Sequence, residues 1–165
     1  NKDADIVIVE YTDVQCPFCK KHHDNKTLEN IIGSNTKVAY ATKHFPLAFH
    51  ANAQKSAEAA ECANDQGKFY EFLDAAFGKS PDLSIDSLKA TAKSVSLDSA
   101  KFDKCLDSGE KADAVKAQMN EGSSLFGVNG TPANIVINKK TGKFKEVAGA
   151  VPQNMIEAAI EEVSK

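Results

Sequence analysis

Two cysteines separated by two residues, in the order Cys16-Pro17-Phe18-Cys19, are the residues of this chain best suited to chemistry. They follow an apolar segment typical of a strand and precede a segment typical of a helix. Pro favours the first position of a helix, so Cys16 falls at a helix N-terminus, where free N–H groups and the helix dipole stabilise a thiolate. The sequence predicts a reactive dithiol with Cys16 exposed and Cys19 one turn inside the helix.

A C-x-x-C pair is also half of many zinc sites, and His22 and His23 follow closely. Against zinc, Cys62 and Cys105 lie too far apart to form a second pair of ligands. Ligands from residues 16–23 would also crowd one helical turn. A zinc-binding module therefore stays as an alternative, and the two histidines are expected to be solvated groups on the helix surface.

Glu10 lies six residues before Cys16, on the predicted strand that leads into the motif. If that strand packs behind the helix, the carboxyl can point toward Cys19. Burial raises the pKa of a carboxyl, and such a group can take the proton of the second thiol as that thiol attacks a mixed disulfide. The alternative is a partly exposed glutamate at the end of a strand.

The remaining pattern runs from β to helical and back to β. Strands are predicted over residues 5–11 and 37–43, with one helix over 17–32 between them. Residues 133–138 and 144–147 predict a hairpin, and residues 152–164 a closing helix. Four or five helices are predicted in the middle, with Ser84, Asp98 and Ser108 as caps, at about residues 51–65, 68–77, 84–94, 98–107 and 110–125.

The 165 residues suit one domain with a net charge of −3. Without a basic stripe, nucleic acid is an unexpected partner, and no apolar run approaches the ~20 residues of a membrane span. The chain opens at Asn1 rather than Met, so a mature or trimmed form is expected.

Two further features bear on the chemistry. The four cysteines allow three pairings, and Cys62 and Cys105, 43 positions apart, are either disulfide-bonded or two small buried apolar residues. Thr131-Pro132 precedes the third strand, where proline is tolerated. A cis bond there would leave the backbone groups of Thr131 free to pair with an extended substrate.

These pieces together resemble the DsbA-like thiol–disulfide oxidoreductases of the thioredoxin superfamily. The matching segments span nearly the whole chain in the expected order, at residues 9–19, 45–53, 60–63 with 66–69, and 126–132. The resemblance implies an α/β protein with a thioredoxin fold and an all-helical insertion between its βαβ and ββα halves. Residues 1–49 and 127–165 would form the thioredoxin-like domain, and residues 50–126 the inserted helical subdomain.

The resemblance also implies roles for individual residues. Cys16 would be the attacking cysteine, Cys19 the resolving one and Glu10 the buried acid. Thr131 and a cis Pro132 would help to hold the substrate. Pro17 and Phe18, by their place in the motif, are expected at the same surface. Paired cysteines are common at the two insert positions of this family, which implies a structural Cys62–Cys105 disulfide.

The implied activity is the introduction of disulfides into exported proteins that still carry free thiols, outside the cytoplasm. A membrane quinone-linked partner would reoxidise the chain, which is expected to be a monomer without a metal or organic cofactor. The best-known oxidases of the family carry His where this chain has Phe18. Phe cannot stabilise a thiolate by charge, so a less extreme potential is expected. A reductase or isomerase and a non-catalytic thioredoxin-fold module remain alternatives.

Overall fold

The sheet of this protein has four strands in the order β2-β1-β3-β4. The structure, a computed structural model, describes residues 3–165. β1 (Ile6–Thr12) pairs in parallel with β2 (Val38–His44) and antiparallel with β3 (Ala133–Asn138). β4 (Phe144–Ala148) completes the sheet antiparallel to β3. The parallel pair requires a crossover, which the first helices supply.

The helices divide into three groups along the chain. α1 (Pro17–Asp24) and α2 (Thr27–Ser34) connect β1 to β2, and α8 (Gln153–Ser164) closes the chain. Between β2 and β3 come five helices: α3 (Ala53–Asn64), α4 (Phe69–Lys79), α5 (Ile85–Ser94), α6 (Ser99–Ser108) and α7 (Ala112–Phe126). The architecture is the predicted thioredoxin fold with a helical insertion.

The single helix predicted over residues 17–32 is wrong, because the chain forms two helices there. α1 ends before Asn25, and Lys26 adopts a left-handed conformation with φ of 51°. Asn25 and its neighbour Asp24 are poor helix formers, which favours an end at this point. The break re-aims the chain, and α2 can then bury Leu28 and Ile31 against the sheet.

The two faces of the sheet pack against different helices. On one face Ile8 of β1 joins residues of α2 and α8, including Ile31 and Ile156, in one apolar cluster. On the other face Tyr11 packs against Phe126 at the end of α7. α7 approaches closely here, since a Cβ added at Gly122 would lie 2.8 Å from the Tyr11 ring.

The helical insertion has its own apolar core, and that core reaches the dithiol. Phe72, Phe102 and Leu106 are fully buried in it. Cys16 and Cys19 belong to the same cluster of buried residues. The insertion therefore forms one wall of the site rather than a separate unit beside it.

A disulfide between Cys62 of α3 and Cys105 of α6 crosslinks the insertion. The pairing implied by the family resemblance is present in the structure. Among residues 3–165, no helix combines the length and the apolar character needed to cross a membrane.

Replacing both Cys62 and Cys105 by Ser is expected to lower the free energy of unfolding by about 4 kcal/mol, because the bond closes a loop of 43 positions in the unfolded chain. Urea unfolding should be compared in a Cys16→Ser, Cys19→Ser background, hereafter the serine background, which leaves this disulfide as the only one possible. An unchanged unfolding midpoint and slope would contradict a stabilising role for the bond.

Candidate active site

The dithiol lies where β1 leads into α1. Cys16 is the residue that caps α1, with Pro17 at the first helical position, as the sequence predicts. The Cys16 N–H donates to the Asp13 carbonyl at 3.0 Å, which closes the turn between strand and helix. Both Cys16 and Cys19 are free thiols in this structure.

The two thiols differ strongly in acidity. The pKa of Cys16 is lowered to about 5, first by a hydrogen bond from the Cys19 thiol and then by the backbone N–H groups of Cys19 and Phe18 and the hydroxyl of Thr131; burial opposes them. The pKa of Cys19 is raised, chiefly by burial and then by that same bond to Cys16. Cys16 is therefore the thiolate at neutral pH, and Cys19 holds the proton.

Cys16 was expected to be exposed, and this expectation is wrong. The residue is only 4% exposed, because the core of the helical insertion extends to it and the Thr131 carbonyl lies 3.5 Å from its Sγ. The next two residues of the motif, Pro17 and Phe18, are exposed, Phe18 by 64%. Pro17 and Phe18 thus lie at the surface beside a recessed Cys16 sulfur.

The loop before β3 forms the opposite wall of the site. The Thr131–Pro132 peptide bond is cis. Pro132 is buried, and the buried Thr131 hydroxyl has no hydrogen-bond partner of standard geometry among residues 3–165. The structure thus brings Thr131 and Pro132 to the dithiol, the place that the family resemblance implies.

Glu10 is buried on β1, with 8% of its surface exposed. Its pKa is raised to about 7, first by burial and further by the charge of Glu29, while the Thr12 hydroxyl partly offsets these effects. Thr12 also acts to lower the pKa of Cys19. Glu10 and Thr12 lie on the same face of β1 because side chains alternate along a strand. The carboxyl therefore lies on the Cys19 side of the strand and can change protonation state at neutral pH.

Asp13 is a structural residue of the site that the sequence did not single out. Its buried carboxylate accepts from the Gln15 N–H at 2.8 Å and from the Leu47 N–H at 3.0 Å, and it lies 2.8 Å from His50 Nδ1. Its own N–H donates to Cys19 Sγ at 3.4 Å. One side chain thus fastens the C-x-x-C turn to the loop after β2. An acidic residue three positions before the motif is the sequence feature that could have indicated this role.

His22 is buried rather than solvated, which corrects the expectation for this histidine. It is 2% exposed and shares the inner face of α1 with Cys19, three residues earlier. His23 is partly exposed and stacks on Phe77 of α4 with ring centroids 4.5 Å apart. The pKa of His22 is lowered, chiefly by burial. Helical spacing from Cys19 could have predicted the buried position.

Possible metal ligands do not gather at the dithiol. In the described part of the chain, Asp65, Cys105 and Glu110 form the one group of three candidate ligands with mutually close atoms, and Cys105 is already disulfide-bonded. Cys16, Cys19 and the two histidines of α1 belong to no such group. The geometry of this site suits thiol chemistry rather than zinc binding.

Comparison with known proteins agrees with the fold. The sequence model of one family, described as thioredoxin, matches residues 1–162. The crystal structure of Pseudomonas aeruginosa DsbA2 superposes with a TM-score of 0.82 at 25% identity, covering 99% of this chain and 91% of that one. A thioredoxin-like oxidoreductase from Silicibacter pomeroyi gives a TM-score of 0.83 at 24% identity, with 99% and 89% covered.

Sequence relatives of a different kind also match. A protein of Salinispora arenicola named Na(+)/H(+) antiporter NhaA 1 is 32% identical over 141 residues, which are 84% of this chain and 21% of that protein. A Salinispora tropica protein named Na(+)/H(+) antiporter NhaA 3 is 31% identical over 140 residues, again 84% of this chain and 21% of that protein. The chain thus spans about a fifth of these curated relatives.

Replacing Glu10 by Gln is expected to stabilise the protein in alkaline solution. The folded pKa of about 7 lies above the ordinary 4.5, so the wild type loses stability as pH rises from 4.5 through 7 while the glutamine variant does not. In the serine background, urea unfolding should show a variant about 3 kcal/mol more stable above pH 7 and equal to its parent below pH 4.5. Glu161→Gln, on an exposed position of α8, is the control. Parallel pH profiles for Glu10→Gln and its parent would contradict the raised pKa.

Proposed function

We propose that this chain, a DsbA-like member of the thioredoxin family and a thiol–disulfide oxidoreductase, introduces disulfide bonds into exported proteins. The observation that carries the proposal is the low pKa of Cys16, about 5, at the start of α1. A stabilised thiolate lowers the free energy of the reduced site. The Cys16–Cys19 disulfide is then readily reduced, which makes the oxidised chain a disulfide donor.

The reaction begins with attack of a substrate thiolate on Cys16 Sγ of the oxidised chain. The Cys16–Cys19 bond breaks, a substrate–Cys16 bond forms, and the electron pair leaves on the Cys19 sulfur. Because burial raises the pKa of Cys19, that sulfur needs a proton, and Glu10 supplies it. A carboxyl with a pKa of about 7 can give this proton and regain it near neutral pH.

The second step releases the substrate with its new disulfide. Another substrate thiolate attacks the substrate sulfur of the mixed disulfide, and Cys16 departs as a thiolate. A leaving thiol of low pKa departs faster, so the acidity of Cys16 assists this step. The substrate gives up two electrons, and the Cys16–Cys19 site of the chain accepts them.

Thr131, Pro132, Pro17 and Phe18 are proposed to hold the substrate. The cis Thr131–Pro132 bond borders Cys16, while Pro17 and Phe18 are exposed next to it. An extended segment of an unfolded chain can pair with the backbone at Thr131 and place an apolar side chain on Phe18. Such contacts do not require one particular substrate sequence.

The setting is proposed to be outside the cytoplasm. The Cys62–Cys105 disulfide supports this setting, because structural disulfides persist in oxidising compartments. In such a compartment the reduced chain needs an oxidant to return the Cys16–Cys19 disulfide. A membrane quinone-linked reoxidase is the proposed partner. Since the chain spans a fifth of its curated relatives, the substrates and partners of a longer protein are part of the same proposal.

A reductase or isomerase would use the same residues in the opposite direction. The observation that favours an oxidase is the split in acidity between Cys16 and Cys19, which stabilises the reduced site. The absence of charge on Phe18 acts in the other direction, because the thiolate is stabilised only by neutral groups.

The oxidised chain, supplied in molar excess because ribonuclease A needs several disulfides and each chain donates one, is expected to restore activity to reduced, unfolded ribonuclease A. Cys16→Ser should abolish the transfer, because no disulfide can form at the site. The Cys62→Ser, Cys105→Ser variant, assayed well below its unfolding temperature, should match the wild type within about twofold, since its dithiol is intact. Failure of the oxidised wild type, together with rapid reduction of insulin by the reduced form, would favour a reductase and contradict the proposal.

A further inference from the structure

Several buried polar atoms near Glu10 lack a hydrogen bond of standard geometry. Within residues 3–165, both ring nitrogens of His22, the hydroxyl of Thr12 and Oδ1 of Asn134 are buried without a hydrogen-bond partner of standard geometry. Asn134 is fully buried and lies opposite Glu10 in the β1–β3 register, so the two side chains share a face of the sheet. Leaving several polar atoms unpaired in one place is costly, which indicates that water completes their hydrogen bonds.

A narrow crevice connects this cluster with solvent. It lies between β1, β2 and helices α1, α2 and α4, and the space in it that water can occupy is about 20 Å³, room for about one water molecule. Glu10 and His22 both line it. The walls also carry Tyr40, Thr42 and Tyr70, whose hydroxyls suit water. Glu10 is buried in the protein but lines this crevice, which is partly open to solvent.

We propose that His22 acts through Glu10: it carries the proton between the Glu10 carboxyl and solvent, with water in this crevice linking the two side chains. The inference rests on the proposed function, because it takes Glu10 as the group that exchanges a proton with Cys19. When Cys19 attacks a mixed disulfide at Cys16, its thiol proton passes to the Glu10 carboxylate. Glu10 then returns that proton through water to the neutral ring of His22, which releases it into the crevice. The reverse sequence supplies the proton during oxidation of a substrate.

The charges around His22 suit a temporary cation. The titratable groups that line the crevice with it come from five elements: Glu10 of β1, His23 of α1, Glu29 of α2, Tyr40 of β2, and Tyr70 and Asp74 of α4. Burial, the largest effect, and His23 lower the pKa of His22, while the side chain of Asn134 and the charge of Glu29 raise it. His22 is thus neutral at rest, as a proton acceptor must be, and two carboxylates, those of Glu29 and Asp74, stand on the route by which the proton leaves.

The test separates the two chemical steps. Reduced protein is mixed with oxidised glutathione, and acid-quenched samples are resolved by mass into thiol, mixed disulfide and internal disulfide. Formation of the mixed disulfide reports attack by Cys16, and its decay reports attack by Cys19. His22→Phe should leave formation within about twofold of the wild type and slow decay about tenfold, less than the 10²-fold or more expected for direct loss of a general base.

A second variant and a control test whether slow decay comes from the lost proton carrier or from a disturbed structure. His22→Ala should show the same slow decay and recover speed on addition of imidazole, which can occupy the vacated space and accept the proton. Lys21→Gln, an exposed neighbour on α1, should behave as the wild type. Equal slowing of both steps, no rescue by imidazole, or wild-type decay in both His22 variants would each overturn the inference.

Other samples in the same experiment test the proposed function separately from the role of His22. If the wild type formed no mixed disulfide with glutathione, the proposed function would fail. If Glu10→Gln slowed the decay of the mixed disulfide but the His22 variants did not, only the role of His22 would be lost.

Discussion

The stabilisation of one thiolate at the N-terminus of α1 is the interaction on which the rest of the site depends. Cys16 and Cys19 share a single proton through the hydrogen bond between their sulfurs. Cys16 meets the backbone N–H groups of Phe18 and Cys19, whereas Cys19 is buried one turn further in. The same short helix therefore lowers one pKa and raises the other. Because burial keeps Cys19 protonated, the proposed mechanism assigns Glu10 to receive its proton.

The surrounding fold keeps this geometry in place from three directions. The Asp13 carboxylate joins the C-x-x-C turn to the loop after β2 through the Leu47 N–H and His50. The Thr131–Pro132 loop covers Cys16 from the β3 side. The core of the helical insertion packs against both cysteines, so the Cys62–Cys105 disulfide, which crosslinks that insertion, contributes to the site only through the stability of its wall.

Local signals allowed much of the fold to be predicted from the sequence. Ser84 and Asp98 cap α5 and α6 with their side chains, as predicted, and the strands follow the apolar pattern. Ser108 is not a cap; it is the last residue of α6, and α7 begins after Lys111. Residues whose role depends on distant packing were missed or misplaced. The burial of Cys16 depends on helices far along the chain, and the Asp13 carboxylate reaches a loop 34 positions away.

The most direct test of this account is the redox equilibrium of Cys16 and Cys19 with glutathione at pH 7, read by thiol alkylation and mass. A thiolate stabilised as described here lowers the free energy of the reduced form. We therefore expect a potential above about −180 mV, the range of disulfide donors. A potential near about −270 mV, the value of a reductant such as thioredoxin, would show that the thiolate is not stabilised enough to drive oxidation and would contradict the account.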